Sequence, residues 1–83
     1  MEKFCKIFES EKFGQILVKI DRNNETMDPE VRYFVQPPEL GVCTLGLGFD
    51  DTPEGWEVAD KAYEKADFEY SEKVAKQIFD SLT

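Results

Sequence analysis

Seven carboxylates gather in one short stretch of this chain: Asp50, Asp51, Glu54, Glu57, Asp60, Glu64 and Asp67. From Glu57 onward they recur at i, i+3, i+7 and i+10, the spacing of one helix face. A row of acids offers three kinds of chemistry. It can hold a hard cation, because such ions take clustered carboxylates. It can move protons, if two acids sit in environments that split their pKa values. It can also engage a basic partner. Neighbours at helical spacing lie ~5–6 Å apart, comparable with the ~3.4 Å rise per phosphate along a nucleic-acid strand. Such a row could occupy a groove made for nucleic acid.

The first two uses fit poorly. The spacing of Asp50, Asp51 and Glu54 matches no calcium-loop pattern, and acids ahead of a helix already offset its positive N-terminus. The carboxylates pair only as helix neighbours, which gives no acid–base couple. The plain alternative to a partner surface is a solvated helix face. Glu57–Lys61, Glu69–Lys73 and Glu72–Lys76 are i, i+4 pairs in the favourable order, worth ~0.2–0.5 kcal/mol each. That explanation covers the later acids. It leaves Asp60, Glu64 and Asp67 with no base four residues on.

Other chemistries lack parts. The chain has no histidine, so Ser10, Ser71 and Ser81 have no triad partner. Cys5 and Cys43 can form neither a Cys–His nucleophile nor a Cys/His zinc site. Both are read as reduced, partly buried thiols, with a disulfide between strands as the alternative. Gly46-Leu-Gly48-Phe49 lacks the third glycine of a dinucleotide fingerprint, and Asp50-Asp51 would repel phosphate. It also matches the Gly-Leu-Gly-Phe of PDZ peptide-binding loops. Here, however, it ends a strand that enters a helix, and no basic residue precedes it. Glycines that permit a bend or close packing are the simpler reading. The expectation is a non-enzyme with no cofactor and no metal.

The whole chain carries 18 acids against 10 bases, a net −8. Residues 1–49 hold eight acids and six bases, and residues 50–83 hold ten and four. This field opposes direct binding of nucleic acid or anionic lipid and favours a basic protein. Solubility alone would also account for it. No apolar stretch approaches the ~18 residues needed to span a bilayer. Met1-Glu-Lys-Phe-Cys lacks the apolar run of a signal peptide. A cytoplasmic chain with no membrane association is therefore expected.

These groups must be positioned by an α+β domain, one unit over 1–83. Residues 1–49 read as sheet and 52–82 as a helical segment. Strands are predicted over 3–9, 15–22, 30–36 and 41–49, from period-two alternation such as Ile16, Val18, Ile20 and Val31, Tyr33, Val35. The glycine-rich face of the last strand is nearly bare, so something packs close to it or it lies flat and exposed. A short link between the first two strands favours an antiparallel hairpin, and the rest is read as a continuing four-stranded meander. After Asp50 the period becomes 3.6. Thr52 suits an N-cap and Pro53 the first helical position. Trp56, Ala59, Tyr63 and Ala66 form one apolar face. Phe68, Ser71, Ala75, Ile78, Phe79 and Leu82 form another, pointing in a different direction. One straight helix cannot bury both, so a break is predicted near 66–70 with Asp67 as cap. The expected architecture is ββββαα, with both helices on one face of the sheet. Trp56 is read as pinning the first helix to the sheet, its indole edge reaching the surface.

In size, net charge and the order of a short meander followed by an acid-rich segment from Asp50 to Asp80, the chain resembles small acidic proteins encoded by phages and other mobile elements, anti-CRISPR inhibitors among them. The resemblance implies blockage of a nucleic-acid site on a host protein. The corresponding expectation is a non-catalytic inhibitor whose contact row is Asp50, Asp51, Glu54, Glu57, Asp60, Glu64 and Asp67, with Trp56 and Tyr63 as apolar anchors. The alternative is a small interaction module that associates through its sheet, including as a homodimer.

Overall fold

The computed structural model describes residues 4–82, with the side chain of Phe4 excepted. Lys3, read above as the start of the first strand, lies outside the described residues. Four strands are followed by two helices: β1 Phe4–Ser10, β2 Gly14–Arg22, β3 Pro29–Val35, β4 Cys43–Gly48, α1 Pro53–Lys65 and α2 Phe68–Asp80. The strands form one antiparallel sheet in the order β1-β2-β3-β4. The fold is the expected ββββαα meander.

Alternation assigns the faces. Ile16, Val18 and Ile20 of β2 and Val31, Tyr33 and Val35 of β3 are all buried. The register sets Val18 opposite Tyr33 and Ile20 opposite Val31, so these residues share one face. The helices cover that face with Ala59, Ala66, Val74, Ala75 and Ile78. Burying six branched or aromatic strand side chains at ~1.5–3 kcal/mol each is the main force on so small a domain. The period-two strands and the 3.6-period helices present their apolar sides to each other, so a single core satisfies both.

Local chemistry places the turns. In the β1–β2 hairpin the Ser10 hydroxyl accepts the N–H groups of Lys12 and Phe13, both at 3.2 Å. In the β2–β3 loop the Asn23 side chain accepts from Glu25 at 2.8 Å and Thr26 at 3.2 Å. Thr52 caps α1 by accepting the Gly55 N–H at 3.0 Å. Gly55 is buried, and a Cβ there would run into the Asp50 carbonyl, so the tight approach into α1 requires glycine. α1 ends at Ala66. The Asp67 carboxylate then accepts the Tyr70 N–H at 2.8 Å and opens α2.

α2 departs in detail from the sequence reading. Val74, absent from the predicted face, is buried, whereas Phe68 and Leu82 are 43% and 45% exposed. Phe68 instead meets Phe8 of β1 edge-on, with ring centroids 6.1 Å apart. Phe79 packs on Phe13 in the same way at 5.1 Å. Aromatic edge contacts of this kind pin α2 to the hairpin end of the sheet.

Candidate partner-binding surface

α1 crosses the sheet with Gly55, Ala59 and Ala66 beneath it and with Trp56 and Tyr63 along one flank. Glu57, Asp60 and Glu64 lie on that same flank, one step further round the helix. Asp50 and Asp51 precede the helix in the loop, and Glu54 in the first turn lies on the other side of the stripe, with Lys61 and Lys65. All of these acids are exposed except Asp60, which is partly buried. Glu57, Asp60 and Glu64 share the α1 flank, whereas Asp50 and Glu54 line a cleft at the end of β4 with Gly48 and Val58.

Not all seven carboxylates are free to meet a partner. Asp51 forms an ion pair with Arg22 of β2 at 3.0 Å. It also accepts the Trp56 indole N–H at 3.3 Å. Arg22 lies 5.1 Å over the Trp56 ring. Arg22, Asp51 and Trp56 thus hold one another, and both the polar edge and one face of the indole are engaged within the chain. Asp67 serves as the α2 cap. Lys6, on the helix side of β1, donates its ammonium to the Tyr63 carbonyl oxygen at 2.6 Å. The same ammonium sits 4.2 Å from the centre of the Tyr63 ring. Burial pushes Lys6 below its ordinary pKa, against the opposing pull of Asp67 and Glu64. Burial likewise pushes the Tyr63 hydroxyl up.

Strand bases therefore border the acidic row at both ends: Arg22 by Asp51, and Lys6 by Glu64 and Asp67. Between them, no ion pair among the described residues reaches Asp50, Glu54, Glu57, Asp60 or Glu64. The helix pairs anticipated from sequence do not close. Lys76 pairs with Asp80 at 2.7 Å instead of Glu72, and Glu72 accepts the Ser10 hydroxyl at 2.6 Å. Lys65 swings to 5.1 Å above the Tyr70 ring. Exposed pairs are worth little, so a helix face gains no strong reason to close them.

The sheet face opposite the helices carries a second constellation that the sequence did not reveal. Glu30 holds Arg32 through two bonds, from Nε at 2.7 Å and Nη2 at 2.9 Å. Arg32 also donates to the Thr44 hydroxyl at 2.6 Å, and Asn23 donates to Glu30 at 2.7 Å. The Arg32 bond holds the Glu30 carboxyl below its usual range, with Asn23 adding to the effect and burial opposing it. What lies against the bare face of β4 is thus the chain's own guanidinium. On the same side, Ile7 and Val42 are 56% and 61% exposed, with Leu17 and Phe34 partly buried between them. The signal in the sequence was Gly46, but only the β3–β4 register puts Arg32 beside it.

Cys5 and Cys43 are both free thiols. They sit on the two outer strands and on opposite faces of the sheet, a geometry that excludes a bridge. No group of three or more cysteine, aspartate or glutamate side chains among the described residues is arranged to hold a metal ion. No helix among them is long and apolar enough to cross a membrane. No protein-family model, curated protein or solved structure matches the chain.

Proposed function

We propose that this chain is a non-catalytic, protein-binding inhibitor of the kind encoded by phages and mobile elements. It occludes a basic, nucleic-acid-binding site on a host protein with the acidic flank of α1. The observation that carries this reading is the set of exposed carboxylates Asp50, Glu54, Glu57 and Glu64, with Asp60 partly buried beside them, that make no ion pair among the described residues. Surface charges that close no ion pair among the described residues remain available to steer and hold a cationic partner. Asp51, Trp56 and Asp67 contribute less to the contact, because they are already engaged by Arg22 and the α2 cap. Tyr63 lies beside the row with Lys6 over its ring, so it too is partly engaged within the chain.

The test is capture of a basic protein from a bacterial lysate, followed by competition with a short DNA duplex. Capture should weaken as salt rises. The duplex should displace the partner, and the Asp60→Lys, Glu64→Lys double reversal should lower affinity at least about tenfold. Capture that ignores both the duplex and the reversal would refute the reading.

A second reading is supported by the open sheet face. Ile7, Leu17, Phe34 and Val42 form an apolar patch there, and a homodimer through it would be insensitive to salt. Sedimentation at rising concentration separates the two readings.

A further inference from the structure

The outer edge of β4 is open. The Phe49 N–H bonds the Pro29 carbonyl at 2.9 Å, and the register continues with Val31 opposite Leu47, Tyr33 opposite Leu45 and Val35 opposite Cys43. Bonded and non-bonded pairs alternate along an antiparallel ladder. Cys43, Leu45 and Leu47 therefore turn their backbone groups toward β3. Thr44, Gly46 and Gly48 turn theirs outward, where no described strand follows.

Natural edges are usually blunted by charge, proline or a bulge. β1, the other edge, carries Lys6 and Glu9, whereas Cys43-Thr-Leu-Gly-Leu-Gly48 carries neither charge nor proline. A Cβ at Gly48 would meet nothing within 4 Å. Packing within the chain does not call for glycine there, whereas the approach of another backbone would. The helices also leave this margin uncovered. Leu47 is 38% exposed and Val58 of α1 is 53% exposed. A cleft of about 360 Å³ at the end of β4 is lined by Gly48, Phe49, Asp50, Glu54 and Val58 among others.

We propose that this edge accepts an extended, lysine- or arginine-bearing segment of the partner protein as an added strand. The proposal rests on the basic-partner reading above and deepens it. Backbone bonds to Thr44, Gly46 and Gly48 supply the pairing. The side chains on its helix-facing side cover Leu47 and Val58 and, toward the end of β4, reach Asp50 and Glu54, so apolar and cationic residues take turns within that one side. Adding a strand to an exposed edge is an established recognition mode in which main-chain bonds give affinity and side pockets give specificity. A second copy of this chain fits less well. Residues 40–49 hold no cation to offer those acids, and the two copies would bring like net charge together.

The probe is an end-capped eight-residue peptide whose every second residue is valine or lysine in turn, the others being serine, so that both types share one face. It is compared with the same peptide N-methylated at alternate backbone nitrogens. Amide exchange is followed by NMR. At saturation, exchange at Thr44, Gly46 and Gly48 should slow by about tenfold or more, with little change at Leu45 and Leu47. The methylated peptide should bind at least about tenfold more weakly. Gly48→Pro should remove the outward donor without touching the β3 ladder and should weaken binding likewise. If that variant does not fold, the methylated peptide still decides. Equal binding of both peptides would overturn strand addition and leave the basic-partner reading standing. No binding of either would overturn strand addition, and the capture and reversal above decide the basic-partner reading separately. Protection of the three amides without peptide, in a sedimenting dimer, would assign the edge to a second copy and overturn the proposal.

Discussion

The guanidinium of Arg32 occupies the space that a side chain at position 46 would need: a Cβ on Gly46 would meet Arg32 Nη2 at 2.6 Å and Glu30 Oε2 at 2.9 Å. Arg32 lies across β4 in the space that the bare position 46 leaves, bidentate to Glu30. Charge-assisted, forked bonds of this kind are the stronger class of surface interaction.

Gly46→Ala should therefore shift the guanidinium tip and weaken its bonds to Glu30, a loss that the better strand propensity of alanine offsets in part, leaving a net cost below about 1 kcal/mol. Urea denaturation measures the loss. In an Arg32→Ala background the same substitution should be neutral or stabilising, because the displaced guanidinium is gone and alanine suits a strand better than glycine. An equal cost in both backgrounds would show that Gly46 is needed for some other reason.

Acid should act on the same pair. The Glu30 carboxyl is held below its ordinary value of 4.5, chiefly by the Arg32 bond. A depressed folded-state pKa means that the unfolded chain binds the proton first. The stabilisation is thus fully present above that ordinary value and is lost as pH falls through the lower, folded value. Glu30→Gln should flatten this acid limb while leaving the rest of the profile in place. Denaturation midpoints recorded across the acid range test it.

At the alkaline end Tyr33 should dominate. Burial, with a smaller contribution from Tyr70, pushes its hydroxyl from 10.0 up to about 12. The unfolded chain then loses this proton first. Stability contributed here is complete below pH 10 and falls as pH rises toward about 12. No described residue bonds the Tyr33 hydroxyl, so Tyr33→Phe should be nearly neutral at pH 7 and should remove most of the alkaline loss. A thermal scan at both pH values decides.

Ser71 offers a gain. Its side chain is fully buried and its hydroxyl has no hydrogen-bond partner among the described residues. Ser71→Ala removes an unsatisfied group and adds a better helix former, which should stabilise by about 1 kcal/mol. A fall in midpoint would mean that the hydroxyl has a role unrelated to packing.

Much of this molecule follows from the order of its residues. Strand alternation marked Ile16, Val18, Ile20, Val31, Tyr33 and Val35 as core, because a period of two allows only one buried face. The caps at Thr52 and Asp67 were legible for a similar reason, since a short polar side chain ahead of an apolar helical run has few other uses. The acidic row on α1 was readable as a row, because helical spacing is local. Its neighbours were not. Arg22 on Asp51, Lys6 against Tyr63 and Arg32 over Gly46 each join residues far apart along the chain. Which cation meets which acid depends on strand register and on the line that α1 takes across the sheet. Those are set by packing the whole core at once, and no local spacing encodes them.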